Sequence, residues 1–153
     1  MRNNQPVTQR ERTFPPQQRL ISTTDSKGVI TYCNEAFTDI SGYSRDELIR
    51  SPHNLVRHPD VPPAVFAHMW ATLKKGRPWM GIVKNRCKNG DHYWVNAYVT
   101  PVFEGNQVVG YESVRITPRA APLGRDEAHY QRINQGKSAV PRSDKWVPMI
   151  QDR

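Results

Sequence analysis

Three strand-like segments follow one another over residues 79–116 and restrict the chain to a fold built on an antiparallel sheet. The segments cover residues 79–88, 92–102 and 107–116, and the turn signals Asn89-Gly90 and Gly105-Asn106 separate them. Consecutive strands joined by such short connections lie antiparallel and pair with each other. Residues 20–25 and 29–33, on either side of a turn at Gly28, predict another hairpin near the start of the chain.

Short helices are predicted between these two groups of strands. Asn34 is placed to cap a helix over residues 35–40 that Gly42 ends, and residues 44–47 form a capping box for a second helix. A third helix, over residues 62–75 with Asp60 as its predicted cap, carries an apolar stripe that we interpret as packing onto the sheet. The order ββαααβββ predicts an α+β fold, in which short helices pack on one face of a five-stranded antiparallel sheet.

The 153 residues are enough for one domain with polar extensions. We expect a flexible N-terminal arm over residues 1–18, a folded domain over residues 19–118 and a C-terminal linker or tail over residues 119–153. Most of the net charge of +8 lies outside the folded part, and no basic stripe follows a periodic element, so nucleic-acid binding is not expected. A membrane span and a secretion signal both need apolar runs that the chain lacks, and the predicted location is the cytoplasm.

The connection between the segments at residues 79–88 and 92–102 decides which side chains face the helices. A loop over residues 89–91 pairs Asn85 with Val95. This register separates the apolar and polar side chains onto the two faces of the hairpin better than a two-residue loop does. One face then carries a mostly apolar lining with one carboxamide, which suits a planar amphipathic ligand: Trp79, Gly81, Val83, Asn85, Cys87, Tyr93, Val95, Ala97 and Val99. The other face is expected to expose Ile82, Trp94 and Tyr98 between basic residues, as a partner surface.

The loop over residues 52–60 concentrates polar chemistry, with two histidines, one arginine, one asparagine and one aspartate. It can be a polar connection and no more, since loops are commonly polar. A metal site would need more converging ligands, and a hydrolytic triad would need a serine in a strained turn. Anion binding is the physical alternative, because Arg57 offers a planar fork for phosphate and His58 a second donor.

Several strings in the chain match a known family. They are Ser22-Thr23-Thr24-Asp25, Ser41-Gly42-Tyr43, Pro52-His53-Asn54, Val56-Arg57-His58-Pro59-Asp60, Thr72-Leu73-Lys74-Lys75-Gly76, Pro78-Trp79, Gly81-Ile82-Val83-Lys84-Asn85-Arg86, Lys88-Asn89-Gly90-Asp91-His92-Tyr93-Trp94-Val95 and Gly110-Tyr111. On these strings, residues 7–136 resemble the N-terminal PAS domain of the bacterial aerotaxis receptor family. The resemblance implies a PAS fold, non-covalent FAD between sheet and helices, and a redox or oxygen (energy) sensor rather than an enzyme.

The same resemblance implies the site residues. Arg57, His58 and Asp60 match the family's FAD-binding motif, and Trp79, Asn85 and Tyr93 are implied neighbours in the pocket. His53 in the same loop and Asn34 are further candidates, although Asn34 also serves as a helix cap.

The implied partner is a chemoreceptor-type signalling module, either a HAMP-type segment or a separate protein that places the chain at the inner membrane face. We expect it to dock on the outer sheet face around Trp94 and Tyr98, and a homodimer is a further expectation. Rotation of the Asn85 carboxamide on reduction of the flavin would carry the signal into the sheet.

Two other functions compete with the FAD sensor. One is a PAS interaction module with an empty or haem-filled pocket. The other is a flavoenzyme, for which the chain lacks a nicotinamide fingerprint such as G-x-G-x-x-G. A light-sensing flavin–cysteine adduct is not expected, because residues 53–60 contain no cysteine.

Overall fold

The computed structural model describes residues 6–118, and in this range it shows the predicted α+β architecture. The strands are β1 (Leu20–Asp25), β2 (Ile30–Cys33), β3 (Trp79–Arg86), β4 (His92–Glu104) and β5 (Gln107–Ile116). The helices are α1 (Glu35–Ser41), α2 (Arg45–Leu48) and α3 (Pro63–Lys74), and a 3₁₀ helix covers His53–Val56. None of the helices in residues 6–118 combines the length and the apolar character that crossing a membrane requires. The predicted tail over residues 119–153 lies outside the described residues.

The five strands form one antiparallel sheet in the order β2-β1-β5-β4-β3. β5 is therefore the central strand, and β3 lies at one edge. The three α-helices and the 3₁₀ helix connect β2 to β3, and Phe37 of α1 and Leu73 of α3 are fully buried in the core. The predicted fold class is confirmed.

The pairing of β3 with β4 differs from the predicted register by two residues. Asn85 lies opposite Tyr93 rather than Val95, because the connection closes one residue earlier, with the Cys87 amide donating to the Asp91 carbonyl at 2.7 Å. A shift of two residues preserves the alternation of side chains, whereas a shift of one would reverse it. The predicted pairs were wrong, but Trp79, Val83 and Asn85 keep their predicted face.

β4 and β5 meet through a tight turn followed by a bulge. Glu104 pairs with Gln107 and Phe103 with Val108, but the register then shifts by one residue between Val102 and Phe103. The shift places Ala97 opposite Arg115. The extra residue of the bulge shifts the pairing of β4 with β5 by one position. The Arg115 side chain therefore lies on the same face of the sheet as Ala97.

The caps of the first two helices are as the sequence predicts. The Asn34 side chain accepts from the Phe37 amide at 3.1 Å, and Gly42 ends α1 with a φ of 78°. Asn34 also bonds β1, accepting from the Ile21 amide at 3.1 Å, and thereby fixes α1 against the sheet. The capping box of α2 is present at Ser44 and Glu47.

The predicted cap of α3 was wrong. α3 begins at Pro63 after Pro62, with no side-chain cap. The Asp60 carboxylate instead accepts a hydrogen bond from Lys84 Nζ at 2.9 Å. Pro62 and Pro63 have no amide hydrogen to donate at the start of α3, whereas the buried Lys84 ammonium group gives the carboxylate a charge-assisted hydrogen bond.

Residues 6–18, predicted as a flexible arm, make specific contacts with the β3–β4 hairpin. The Thr8 amide donates to the Gly90 carbonyl at 2.8 Å, and the Arg12 amide donates to the His92 carbonyl at 2.7 Å. Phe14 is buried in the core cluster. The division of the chain at residue 18 stays a prediction, but these contacts tie the arm to the sheet.

The outer sheet face is not the exposed patch that the sequence suggested. Trp94 is 3% exposed and Ile82 is 5% exposed, and only Tyr98 of the three is partly accessible. On this face the Arg86 guanidinium donates to the carbonyl of Pro6 in the arm at 3.0 Å. The expected exposure is therefore corrected: Ile82 and Trp94 are buried, and docking of a partner around Trp94 and Tyr98 stays a prediction.

Candidate functional site

A cavity of about 310 Å³ lies between α3 and the inner face of the sheet, with the 3₁₀ helix along one side. Most of its wall is apolar. The sheet supplies Val83, Val95, Ala97 and Val99, and α3 supplies Phe66, Met69, Trp70 and Leu73. The volume is within the range of small-molecule and cofactor pockets, roughly 300 to 1,000 Å³. The apolar stripe of α3, which we interpreted as packing onto the sheet, therefore also lines the cavity.

The inner wall holds a buried guanidinium group. Arg115 is 2% exposed, and its two terminal nitrogens contact His53 Nε2 at 2.9 Å and Ser22 Oγ at 2.9 Å. The ring of Phe37 lies 4.4 Å from the Arg115 Cζ atom. Burial lowers the pKa of Arg115 to about 10, which still leaves it charged at neutral pH.

The protonation of His53 follows from these contacts. Arginine has only donors, so the His53 Nε2 atom that meets Arg115 carries no proton. The Ser22 hydroxyl, 3.0 Å from the same nitrogen, then donates to it while accepting from Arg115. Burial, reinforced by the charge of Arg115, lowers the pKa of His53 to about 3. His53 is therefore neutral.

The 52–60 loop crosses the free edge of the sheet and brings Arg57 beside Asn85. These two residues form an isolated antiparallel bridge, and both line the cavity. The Arg57 guanidinium lies over the Phe66 ring, with Cζ 3.9 Å from the ring centroid. Arg57 is more accessible than Arg115, because it lies beyond the edge strand rather than on the central one.

His58 and Asp60 do not line the cavity. His58 is 1% exposed and meets the ring of His92, which faces the opposite side of the sheet. The His58 Nδ1 atom accepts from the Asp60 amide at 3.0 Å, and Asp60 pairs with Lys84. In this structure the His58 ring holds the loop to the sheet edge, and its role as a second donor to a bound anion stays a prediction.

The remaining predicted site residues lie at different depths. Trp79 lines the cavity, and its indole nitrogen donates to His68 Nδ1 at 2.9 Å, which links β3 to α3. Tyr93 faces the same side but is fully buried and does not line the cavity. Burial raises the pKa of Tyr93, so its hydroxyl stays neutral. Asn34 caps α1 and lies outside the cavity lining.

The sequence interpretation missed Arg115, Ser22 and the pair formed by Trp70 and Tyr111. Trp70 of α3 meets Tyr111 of β5 edge-on, with ring centroids 5.2 Å apart. The available signal was the alternation of Tyr111, Ser113 and Arg115 along β5, all of which line the cavity. That alternation could not be assigned to a face without knowledge of the bulge in β4.

Neither cysteine of the chain lines the cavity. Cys33 and Cys87 are both buried and reduced, and burial raises the pKa of Cys87 to about 11. Neither is therefore a reactive thiolate at neutral pH. Within residues 6–118, no three His, Cys, Asp or Glu side chains converge as a metal site would require.

Comparison with known proteins agrees with this architecture. A profile of the PAS fold matches residues 30–115. The chain is 47% identical over 133 residues to an aerotaxis receptor of Escherichia coli strain K12, an alignment that covers 87% of the chain and 26% of the receptor. It is 37% identical over 82 residues to a nitrogen fixation regulatory protein of Klebsiella pneumoniae, covering 54% of the chain and 17% of that protein.

Solved structures share the fold at low sequence identity. A light-oxygen-voltage domain, reported in a study of its mechanism with a flavin analogue, superposes with a TM-score of 0.63 at 18% identity. The match covers 78% of this chain and 90% of that one. The chain thus spans about a quarter or less of the curated relatives described above, and nearly all of a single solved domain.

The buried neutral histidines predict that acid weakens the fold. Burial, reinforced by Lys84, lowers the pKa of His58 to about 4, whereas an unfolded histidine titrates near 6.5. The unfolded chain therefore binds more protons below about pH 6.5, and stability falls as the pH drops toward 4. We expect His58 to lower the free energy of unfolding by about 2 kcal/mol at about pH 5 relative to neutral pH.

Urea unfolding at several pH values measures this dependence. His58→Asn places a carboxamide oxygen where Nδ1 accepts from Asp60, and its slope of unfolding free energy against pH should be shallower by about 1 kcal/mol per pH unit. Comparing slopes separates this effect from any uniform loss of stability. Equal slopes in the two proteins would show that His58 is not held neutral.

Proposed function

Because the chain belongs to the PAS fold family, we propose that it is a flavin-binding redox sensor domain of the aerotaxis receptor type, with FAD held non-covalently in the cavity. The PAS domain would pass the redox state of the ring to a chemoreceptor-type signalling module. The two curated relatives are named as a receptor and a regulatory protein, which supports signalling rather than catalysis. The location in the cytoplasm and a dimeric state stay predictions.

The observation that carries this proposal is the combination of apolar walls and polar groups in one cavity. A flat ring system fits between the sheet residues and α3, where Val83, Val95 and Met69 supply apolar contact. The polar edge of an isoalloxazine needs donors and acceptors at its rim, and Asn85 and Arg115 supply them. This pattern of a largely apolar pocket with a few placed polar groups is typical of cofactor sites.

Arg57 supports a phosphate-bearing flavin. Its guanidinium group is at the accessible side of the cavity, and stacking on Phe66 limits its conformations. A planar guanidinium binds phosphate oxygens in pairs, and a group that is already ordered loses little entropy on binding. The residues present therefore fit FAD: Asn85 and Arg115 would meet the ring and Arg57 the pyrophosphate.

Two competing cavity chemistries fit less well. Among residues 6–118, His53 is the one histidine in the cavity lining, and its Nε2 atom is engaged by Arg115 and Ser22, so that nitrogen is not free to bind a haem iron. A light-driven adduct needs a cysteine beside the ring, and neither Cys33 nor Cys87 lines the cavity.

The arm offers a route for output. Asn85 lies in the cavity wall, and the next residue, Arg86, holds the arm through the Pro6 carbonyl at 3.0 and 3.1 Å. A rotation of the Asn85 carboxamide that responds to the ring would therefore alter β3 one residue from the arm contact. We place the output at the arm and the β3–β4 hairpin, in place of an exposed surface at Trp94.

Flavin binding and its phosphate dependence test the proposal. Protein purified and reconstituted with FAD should show flavin absorption bands that bleach on addition of dithionite. Arg57→Gln should weaken FAD binding by about tenfold, equal to about 1.4 kcal/mol, because a charge-assisted pair with phosphate is lost. Binding of riboflavin, which has no phosphate, should change little.

Arg77→Gln is the matched control, since Arg77 is exposed and lies outside the cavity lining. It removes the same charge and should leave FAD binding unchanged. Protein that binds neither FAD nor riboflavin would refute the proposed function. An intense Soret band would indicate haem in its place.

Hydrogen exchange tests the output route separately. The amides of Thr8 and Arg12, which bond the hairpin, should exchange at rates that differ several-fold between oxidised and reduced protein. Asn85→Ser removes the carboxamide and should abolish the difference, while Arg77→Gln should retain it. Equal protection of the arm in both redox states of the unaltered protein would contradict this route.

A further inference from the structure

We propose that one end of the domain, which we call the basic tip, binds the surface of an anionic lipid bilayer. The basic tip consists of residues 25–29 between β1 and β2, residues 74–78 at the end of α3, and residues 102–109 around the β4–β5 turn. This role goes beyond the redox sensor and requires no bound flavin.

The three segments of the basic tip lie at the same end of the sheet. Asp25 of β1 and Val102 of β4 both pair with Gly110 of β5, so the β1–β2 turn and the β4–β5 turn project in the same direction. The end of α3 joins them there, because a Cβ atom at Gly76 would lie 3.5 Å from Phe103 Cζ.

The first support is a cluster of exposed apolar side chains. Phe103 is 50% exposed, Val102 41% and Val109 40%, and they are three of the four exposed large apolar residues in residues 6–118. Single apolar residues scattered over a surface need no explanation, whereas exposed apolar residues that lie together mark an interaction site.

The strand conformation does not require these apolar side chains. Valine and phenylalanine favour strands, but threonine does so too, and Thr100 occupies the same strand as Phe103. All residues from 102 to 107 are exposed, so an apolar side chain in this run adds little to the core. Their presence therefore favours a function outside the domain.

The second support is a group of unpaired positive charges. Lys74, Lys75 and Arg77 are exposed, and among residues 6–118 no carboxylate forms an ion pair with any of them. Lys27 adds a further exposed cation in the β1–β2 turn. Lysine and arginine side chains close to a membrane are attracted by anionic headgroups, and each adds to the binding.

The carboxylates of the basic tip leave it positive. Asp25 accepts hydrogen bonds from the amides of Lys27 at 2.9 Å and Val29 at 3.0 Å, and so stabilises its own turn. Glu104 is exposed on the β4–β5 hairpin. The basic tip thus combines four cations with two carboxylates, beside the exposed apolar side chains.

A lipid surface fits the basic tip better than a protein partner does. A specific protein interface buries roughly 1,000 Å² or more, and three partly exposed side chains at a hairpin end supply much less. A bilayer needs no complementary shape. Apolar side chains enter the boundary between headgroups and acyl chains, while neighbouring cations meet the anionic headgroups.

The experiment uses the full chain with a fluorescent reporter at the β4–β5 turn. Asn106→Cys introduces an exposed thiol for nitrobenzoxadiazole, whereas Cys33 and Cys87 are buried. Vesicles of phosphatidylcholine and phosphatidylserine in equal amounts should shift the dye emission to the blue, because the turn enters the bilayer interface. Vesicles of phosphatidylcholine alone should bind more weakly, and added salt should weaken binding to the mixed vesicles.

Substitutions with matched controls locate the binding surface through vesicle co-sedimentation. Phe103→Ser should weaken binding about tenfold, because it removes apolar area. Tyr32→Ser, at the fourth exposed apolar residue but on the edge strand β2, should leave binding unchanged. Lys75→Gln should weaken binding about fivefold, and Lys88→Gln, beside the β3–β4 turn at the opposite end of β4, should not.

Three results would overturn the proposal. The first is an unaltered protein that does not bind the mixed vesicles, including the case in which only an acidic polypeptide such as polyglutamate shifts the dye emission. The second is binding in which the dye stays in water, because the basic segments at the two ends of the chain can adsorb to vesicles by charge alone. The third is equal loss of binding in Phe103→Ser and Tyr32→Ser.

Discussion

The guanidinium group of Arg115 lies inside the domain, and the groups around it are neutral. Ser22 and His53 accept its hydrogen bonds, and Phe37 covers one of its faces. Among residues 6–118 no carboxylate forms an ion pair with this charge, so its burial depends on these neutral partners. The apolar walls between α3 and the sheet suit a ligand that is flat and mostly apolar.

The position of that charge depends on contacts well outside the cavity. Asn34 caps α1 and bonds β1, and this places Phe37 against Arg115. His58 and Asp60 attach the loop to the far side of the edge strand, so that Arg57 reaches the cavity. Substitution of Asn34, His58 or Asp60 is therefore expected to displace Phe37 or Arg57 at the cavity.

The fold was predictable from the sequence because turn signals and alternation are local properties. Asn89-Gly90 and the capping box at Ser44 are short patterns whose geometry depends on few residues. The inner face of β3 was also predictable, since an error of two residues in register leaves every side chain on its face.

The polar part of the site was less predictable, because it depends on a bulge and on an edge crossing. A regular two-residue turn at Gly105-Asn106 would have placed Val114 opposite Ala97 and turned Arg115 outward. His58 and Arg57 are neighbours in sequence, yet the loop crosses β3 between them and sends them to opposite sides of the sheet. Neither event has a signal in residue type alone.

A crystal structure of the reduced, FAD-loaded protein would test most directly whether the cavity between α3 and the sheet binds the flavin. We expect the ring between α3 and the sheet, with its polar edge within hydrogen-bond distance, about 3 Å, of Asn85 or Arg115. A flavin bound elsewhere, or with its dimethylbenzene end toward Arg115, would contradict it.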